Sequence, residues 1–116
     1  TYTSEQIANI QQYAAELSTL RDRMPELAEL IQKQDWVFVR NFIRGPLGEL
    51  RTKMSYLSQN LLPAEQAESR QLAKSVFSNL VAIDQAAQDK NYKLAIRNYA
   101  ETLRDLDLFL QRVPNG

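Results

Sequence analysis

Apolar residues recur at steps of three and four along the first part of the chain, a spacing that places them on one side of an α-helix. The helix is predicted to start at Thr3-Ser4-Glu5-Gln6, where Thr3 caps and Gln6 completes a capping box. Pro25 lies inside this run, but the phase of the stripe survives across it, so we expect a bend or a brief break there. The stripe consists of Ile7, Ile10, Ala14, Leu17, Leu20, Met24, Leu27 and Ile31.

A second stripe follows Asp35, which is positioned to cap a second helix. Its steps alternate between three and four almost throughout, as in a helix packed lengthwise on its neighbours. Gly45-Pro46 interrupts the pattern, yet the stripe resumes in phase, so we expect a kink here and not an end. The stripe consists of Trp36, Val39, Ile43, Leu47, Leu50, Met54, Leu57 and Leu61.

Two further amphipathic segments complete the chain. Pro63 is suited to the first position of the third helix, Asn91 is predicted to cap the fourth, and Pro114-Asn115-Gly116 is predicted to end it. Because the connections are short, successive helices should run antiparallel, which predicts an all-α, up-down-up-down four-helix bundle. The stripes are Ala73, Val76, Phe77, Leu80, Ile83 and Ala87 in the third helix, and Tyr92, Ala95, Tyr99, Leu103, Leu106, Leu110 and Val113 in the fourth.

The composition supports this fold class and narrows the functions open to the chain. Its 116 residues are 44% apolar, with only 3 Gly and 4 Pro, which is few for a β-rich fold. This length is typical of one domain, so we assign residues 1–116 to a single domain. The net charge is zero, from 14 basic and 14 acidic residues, whereas a general nucleic-acid binder carries a clear basic excess.

The charges are unevenly distributed along the sequence. Between Glu5 and Glu29 the balance is −3, and between Lys33 and Lys53 it is +3. The favoured interpretation is that the two segments pair with each other inside the domain. The alternative is that the basic segment faces an acidic partner.

Candidate catalytic and metal-binding chemistry is sparse. Without Cys or His, the chain lacks thiol nucleophiles, thiolate metal sites and the commonest general base, so we predict no enzyme, catalytic residues, metal or cofactor. Asp22, Glu26 and Glu29 share one helix face, where a solvated acidic surface is favoured over a weak hard-cation site. Asp105 and Asp107 are two residues apart, so they point in different directions and do not form a catalytic pair.

The most informative stretch runs from Trp36 to Arg44. At about 100° per residue, Trp36, Val39 and Ile43 fall on one side of a helix, with Phe38 and Phe42 nearly opposite. A helix that is apolar on two sides is either deeply buried or offers one side to a partner. We favour packing of both Phe rings under the Pro25 bend or a neighbouring loop. If the rings are instead exposed, the partner-binding residues are Phe38, Arg40, Phe42 and Arg44, because aromatic residues and Arg dominate interface anchors.

Short motifs with a shared order and spacing extend through nearly the whole chain. They are Asp35-Trp36, Val39-Arg40-Asn41, Arg44-Gly45-Pro46-Leu47-Gly48, Arg51, Met54-Ser55-Tyr56-Leu57, Phe77, Ile83-Asp84-Gln85-Ala86-Ala87, Tyr99 and Leu106-Asp107. In this arrangement the chain resembles the PsbQ family of extrinsic photosystem II subunits, and in particular its cyanobacterial form.

This resemblance implies a non-catalytic four-helix bundle in the thylakoid lumen, peripheral on the lumenal side of the membrane, that stabilises the oxygen-evolving assembly and its retention of calcium and chloride. The implied partners are the photosystem core, its manganese-stabilising subunit and an inner antenna protein, with the free protein a monomer. Cyanobacterial members are similar to lipoproteins anchored through an N-terminal Cys, which this chain, beginning at Thr1, does not contain. Either the anchor was trimmed or the resemblance fails at this point. The alternative function is a stand-alone helical interaction or lipid-surface module.

Overall fold

In the computed structural model, which describes residues 1–114, the chain forms six α-helices and no strand. The predicted all-α class is therefore confirmed. Asn115 and Gly116, part of the predicted end of the last helix, lie outside the described residues. The helices are α1 (Ser4–Asp22), α2 (Met24–Gln32), α3 (Trp36–Arg44), α4 (Leu50–Gln59), α5 (Pro63–Gln88) and α6 (Tyr92–Gln111).

Local capping explains where several of these helices begin. The Thr3 hydroxyl accepts a hydrogen bond from the Gln6 backbone N–H, and the Gln6 side chain accepts one from the Thr3 backbone, which confirms the capping box. Asn91 caps α6 by accepting from the Leu94 N–H at 3.1 Å. Asp35 occupies the N-cap position of α3, but its side chain makes no cap hydrogen bond.

The break at Pro25 is brief, as predicted. Only Arg23 separates α1 from α2, and Pro25 lies in the first turn of α2, where a backbone N–H would have no intrahelical acceptor. Met24 and Leu27 are both fully buried. The apolar stripe therefore passes through the break without losing its contact with the core.

The interruption at Gly45-Pro46 is longer than the expected kink. The helix ends at Arg44 and restarts at Leu50, with turns between them. Pro46 cannot donate a backbone hydrogen bond, and a Cβ at Gly48 would lie only 2.6 Å from the carbonyl oxygen of Arg44. Leu47 is nevertheless 3% exposed, so the connection inserts an apolar side chain into the core.

The six helices form the four legs of a bundle. The first leg is α1 with α2, the second is α3 with α4, and α5 and α6 are the third and fourth. Because α1 packs on α4 while α2 packs on α3, the first two legs run antiparallel. The third leg packs on the second and fourth, and the fourth also packs on the first. The resulting body measures 47 × 22 × 17 Å.

The core lies between the four legs and consists mainly of the predicted stripes. Burying one Leu, Ile, Phe or Met side chain stabilises a fold by about 1.5–3 kcal/mol before conformational entropy is counted. Two predicted stripe residues are exceptions, since Phe77 is 38% and Tyr92 is 40% exposed. The largest fully buried side chains are Phe109, Ile10, Leu17, Met24, Leu27, Ile31, Leu50, Met54, Leu57, Ile83, Leu106 and Val39.

Candidate functional site: the basic and apolar surface of α3, α4 and α5

The two Phe rings of α3 have different environments. Phe42 is 7% exposed and packs in the core, with the Arg23 guanidinium carbon 5.4 Å from its ring centroid. Phe42 is therefore unavailable to a partner, which corrects one of the four predicted partner-binding positions. Its contact with Arg23, next to the Pro25 break, agrees with the expectation that this ring packs under the bend.

Phe38 is exposed, contrary to the favoured interpretation. Its side chain is 57% accessible, and that of neighbouring Val37 is 68% accessible. The reason lies in helix geometry: Phe42 is about 60° from buried Val39 around the helix axis, whereas Phe38 is about 100° from it. Only the smaller angle keeps a side chain inside the arc that faces the core.

Arg40 and Arg44 converge on one carboxylate of α5. Arg40 Nε lies 3.2 Å from Asp84 Oδ1, and Arg44 Nη2 lies 3.2 Å from Asp84 Oδ2. Two guanidinium groups thus share a single negative charge, which leaves a positive excess. Arg44 remains 63% exposed while it makes this contact, so it can still bind an external acceptor.

These observations define the α3 face as Val37, Phe38, Arg40 and Arg44. A depression of about 250 Å³ adjoins it, lined in part by Val37, Arg40, Arg44 and Lys90. The α3 face combines exposed apolar surface with partly satisfied cations, which is the composition typical of interface anchors.

A second basic and apolar area lies between α4 and α5. The Arg51 guanidinium carbon is 4.2 Å from the Phe77 ring centroid, a cation–π contact. Phe77 was predicted to be buried, and this is wrong because Val76, Leu80 and Ile83 already fill the core-facing side of α5. The sequence contains a signal for this error: Phe77 and Val81 form an i,i+4 apolar pair beside that stripe.

The predicted pairing between the acidic first segment and the basic second segment is seen twice in the described part of the chain, as Lys33 with Glu29 and as Lys53 with Glu16. Lys53 Nζ on α4 lies 2.6 Å from Glu16 Oε1 on α1. This hydrogen bond lowers the pKa of the Glu16 carboxyl and raises the pKa of the Lys53 ammonium. The two Arg residues of α3, Arg40 and Arg44, pair with Asp84 of α5 instead. Pairing between the first two segments therefore accounts for only part of the uneven charge distribution.

Two of the three carboxylates considered for metal binding, Glu26 and Glu29, are engaged in separate ion pairs. Glu26 pairs with Arg23 at 2.9 Å, and Glu29 pairs with Lys33 at 2.8 Å. In the described part of the chain, no group of three or more His, Cys, Asp or Glu side chains is placed to hold a metal ion.

Asp105 and Asp107 lie apart, as predicted from their spacing. Asp105 is buried and accepts hydrogen bonds from Ser75 and Asn79 of α5. Asp107 makes a two-point contact with Arg21 of α1, whose Nε lies 2.6 Å from Asp107 Oδ1. Each therefore links α6 to a different neighbouring leg.

Comparison with known proteins decides the family. A family model described as PsbQ, oxygen evolving enhancer protein 3, matches residues 1–114. The chain is also similar to CyanoQ from Synechocystis sp., with 43% identity over 117 residues that cover 100% of this chain and 78% of the relative. The chain belongs to the PsbQ family.

Membership of the PsbQ family agrees with the resemblance carried by the sequence motifs. The family consists of extrinsic subunits of photosystem II and is generally non-catalytic. Among residues 1–114, none of the helices is both long enough and apolar enough to cross a membrane. The motifs that carry the PsbQ resemblance include core residues, namely Val39, Met54, Leu57, Ile83 and Leu106.

Proposed function

We propose that this chain docks on the lumenal face of photosystem II and stabilises the oxygen-evolving assembly without catalysing a reaction. Family membership supports the assembly, and the exposed apolar and cationic α3 face supports docking as the mode of action. The proposed location is the thylakoid lumen, at the lumenal side of the membrane, where a lipid anchor would add to protein contacts. The proposed neighbours are the core, the manganese-stabilising subunit and an inner antenna protein.

The physical effect of docking is stabilisation by mass action. A protein that binds only the assembled state stabilises that state. The stabilisation grows with the ratio of the free concentration of the bound protein to its Kd. The covered surface would also slow the exchange of water and ions, so calcium and chloride would be retained longer. Because Arg40 and Arg44 share one carboxylate, the α3 face should attract an acidic surface, and binding should weaken with salt.

The single observation that supports the α3 face as the contact is that Phe38 is exposed on the same helix as the largely exposed Arg44. Aromatic residues and Arg are the residue types enriched at protein–protein interfaces. Phe42 is omitted from the proposed contact because it lies in the core. Val37 takes its place as the second exposed apolar side chain.

The test is co-sedimentation with photosystem II membranes stripped of their extrinsic subunits, at low and high salt. We expect saturable binding that falls with salt and is weakened by a double variant, Phe38→Ala with Arg44→Ala. The matched control is Leu94→Ala with Arg97→Ala, which removes an exposed apolar residue and an exposed Arg from α6. Thermal unfolding of both variants verifies that they are folded.

The outcomes separate the parts of the proposal. Equal binding by both double variants would keep the photosystem role and move the contact away from the α3 face. If the folded chain fails to bind, even with an N-terminal lipid added, the photosystem role is wrong. Binding to protein-free vesicles with a change in helicity would favour the lipid-surface module instead.

A further inference from the structure

The area between α4 and α5 contains two depressions that meet at Arg51. One, of about 400 Å³, is lined by Leu47, Phe77, Leu80 and Val81 among others. The other, of about 250 Å³, is lined by Arg51, Ser55, Arg70, Ala73 and Lys74. Since Arg51 lines both, the two depressions are neighbours, and we refer to them together as the α4–α5 groove, which has an apolar end and a basic end.

The basic end contains cations that have no carboxylate partner among the described residues. Arg51, Arg70 and Lys74 are all exposed, and within residues 1–114 none of them takes part in a salt bridge. In the described chain, Asp84 is the only acidic residue lining either depression. Asp84 already pairs with Arg40 and Arg44, so the α4–α5 groove carries an uncompensated positive charge.

The apolar end is exposed as well. Val81 is 52% and Phe77 is 38% accessible, although the Phe77 ring is partly covered by the Arg51 guanidinium. Burying this surface under another apolar side chain would be favourable, because apolar area would be removed from water. The same contact would strengthen the attraction of Arg51 for a nearby carboxylate, because water would be excluded around the guanidinium.

The cations and apolar residues of α5 follow one line. Arg70, Lys74, Phe77 and Val81 are separated by steps of four, three and four, which places them in one stripe. At 1.5 Å per residue this stripe is about 16 Å long. A single phosphate headgroup requires cations gathered around one point, whereas a chain segment with several carboxylates meets cations spread along a line.

We propose that the α4–α5 groove binds an acidic protein segment that carries an apolar side chain. The carboxylates of the segment would pair with Arg51, Arg70 and Lys74, and its apolar side chain would enter the depression beside Phe77 and Val81. The α4–α5 groove does not include Val37 or Phe38 of the α3 face, although Arg44 lines the depressions of both areas. This inference does not depend on the photosystem role and is tested without photosystem membranes.

The experiment measures fluorescence anisotropy of a labelled glutamate-rich peptide with one central leucine. Two comparison peptides replace the leucine by glutamine, or all glutamates by glutamine. We expect saturable binding to the wild-type chain that falls with salt, is weaker without the leucine and is absent without the glutamates. Competition by vesicles of phosphatidylglycerol tests the lipid surface as a rival occupant.

Two variants assign the binding to the α4–α5 groove. Arg51→Glu with Lys74→Glu reverses two groove charges and should raise Kd about tenfold or more. Lys93→Glu with Arg97→Glu makes the same change in net charge on exposed positions of α6 and should leave Kd within about twofold. Phe77→Ala should remove the advantage of the leucine peptide over the glutamine peptide while preserving salt-dependent binding.

The proposal is overturned by any of three results with folded protein, as verified by thermal unfolding. These are no saturable binding of the glutamate and leucine peptide, equal weakening by the groove and α6 charge reversals, or binding that the vesicles displace while the leucine makes no difference. The first two exclude a specific groove site. The third identifies the surface as one for anionic lipid.

Discussion

The hydroxyl of Tyr99 donates a hydrogen bond to the backbone carbonyl of Met24 across 3.1 Å. This contact joins α6 to the first residue of α2, immediately after the break between α1 and α2. Tyr99 is partly buried against the core, and burial is the main cause of the raised pKa of its phenol. The bond therefore links the fourth leg of the bundle to the break in the first leg.

Tyr99→Phe should lower the free energy of unfolding by about 1 kcal/mol at neutral pH, since it removes one partly buried hydrogen bond. The raised pKa means that the folded state favours the neutral phenol. This contribution is fully present below the unfolded-state pKa of about 10 and is lost as pH rises through the folded-state pKa. Urea unfolding of the wild type and of Tyr99→Phe should be measured at neutral and at strongly alkaline pH. The difference between their free energies of unfolding should disappear at high pH. A constant difference would contradict this coupling.

Phe42→Ala should destabilise the fold by about 3 kcal/mol, because it leaves a cavity where a ring is buried. Phe38→Ala should change the free energy of unfolding by less than about 0.5 kcal/mol, since Phe38 is exposed. Chemical denaturation of both variants measures the contrast. Similar losses in the two proteins would mean that both rings lie in the core.

Gly48→Ala should destabilise the connection between α3 and α4 by about 1–3 kcal/mol, because the new methyl group would meet the Arg44 carbonyl oxygen at 2.6 Å. Gly45→Ala is the milder control, since its nearest contact is the Asn41 carbonyl oxygen at 3.0 Å. Melting temperatures of the two variants should therefore fall in the order wild type, Gly45→Ala, Gly48→Ala. The reverse order for the variants would show that the connection relaxes at Gly48.

Asp105→Ala should lower the free energy of unfolding by about 1–3 kcal/mol, because the partly buried donors of Ser75 and Asn79 would lose their acceptor. Ser75→Ala removes only one donor and should cost less, about 1 kcal/mol. The double variant tests whether the two residues act together, since coupled residues give a loss smaller than the sum of the single losses. Additive losses would contradict a shared hydrogen-bond network.

Helix starts were predictable wherever the capping interaction is local. Thr3 with Gln6, Pro63, and Asn91 each act within a few residues of the helix they begin, so their effect is visible in the sequence itself. The extent of the α3–α4 interruption was not predictable in this way. It depends on the packing of Gly48 against Arg44 and on the burial of Leu47. Neither contact can be predicted from the spacing of apolar residues along the sequence.

The candidate site was predictable in composition but not in arrangement. Phe38, Arg40 and Arg44 do lie on accessible or partly accessible surface, whereas Phe42 does not. Phe38 and Phe42 are only about 40° apart around the helix axis. The sequence prediction took the side that carries Trp36 and Ile43 as the buried one, so it assigned both rings to the opposite side. The true centre of the buried arc lies nearer Val39 and Phe42 because the first leg and Arg23 pack there.

The sequence by itself determined the helical class, the apolar stripes and the family resemblance, because helical periodicity and short motifs are properties of residues close together along the chain. Only the tertiary structure decided that Arg40 and Arg44 share Asp84, and that Arg51 covers Phe77. Those pairs join different legs, and their distances depend on how the legs rotate and slide against one another. Such rotations are set by the packing of the whole core, which no local pattern specifies.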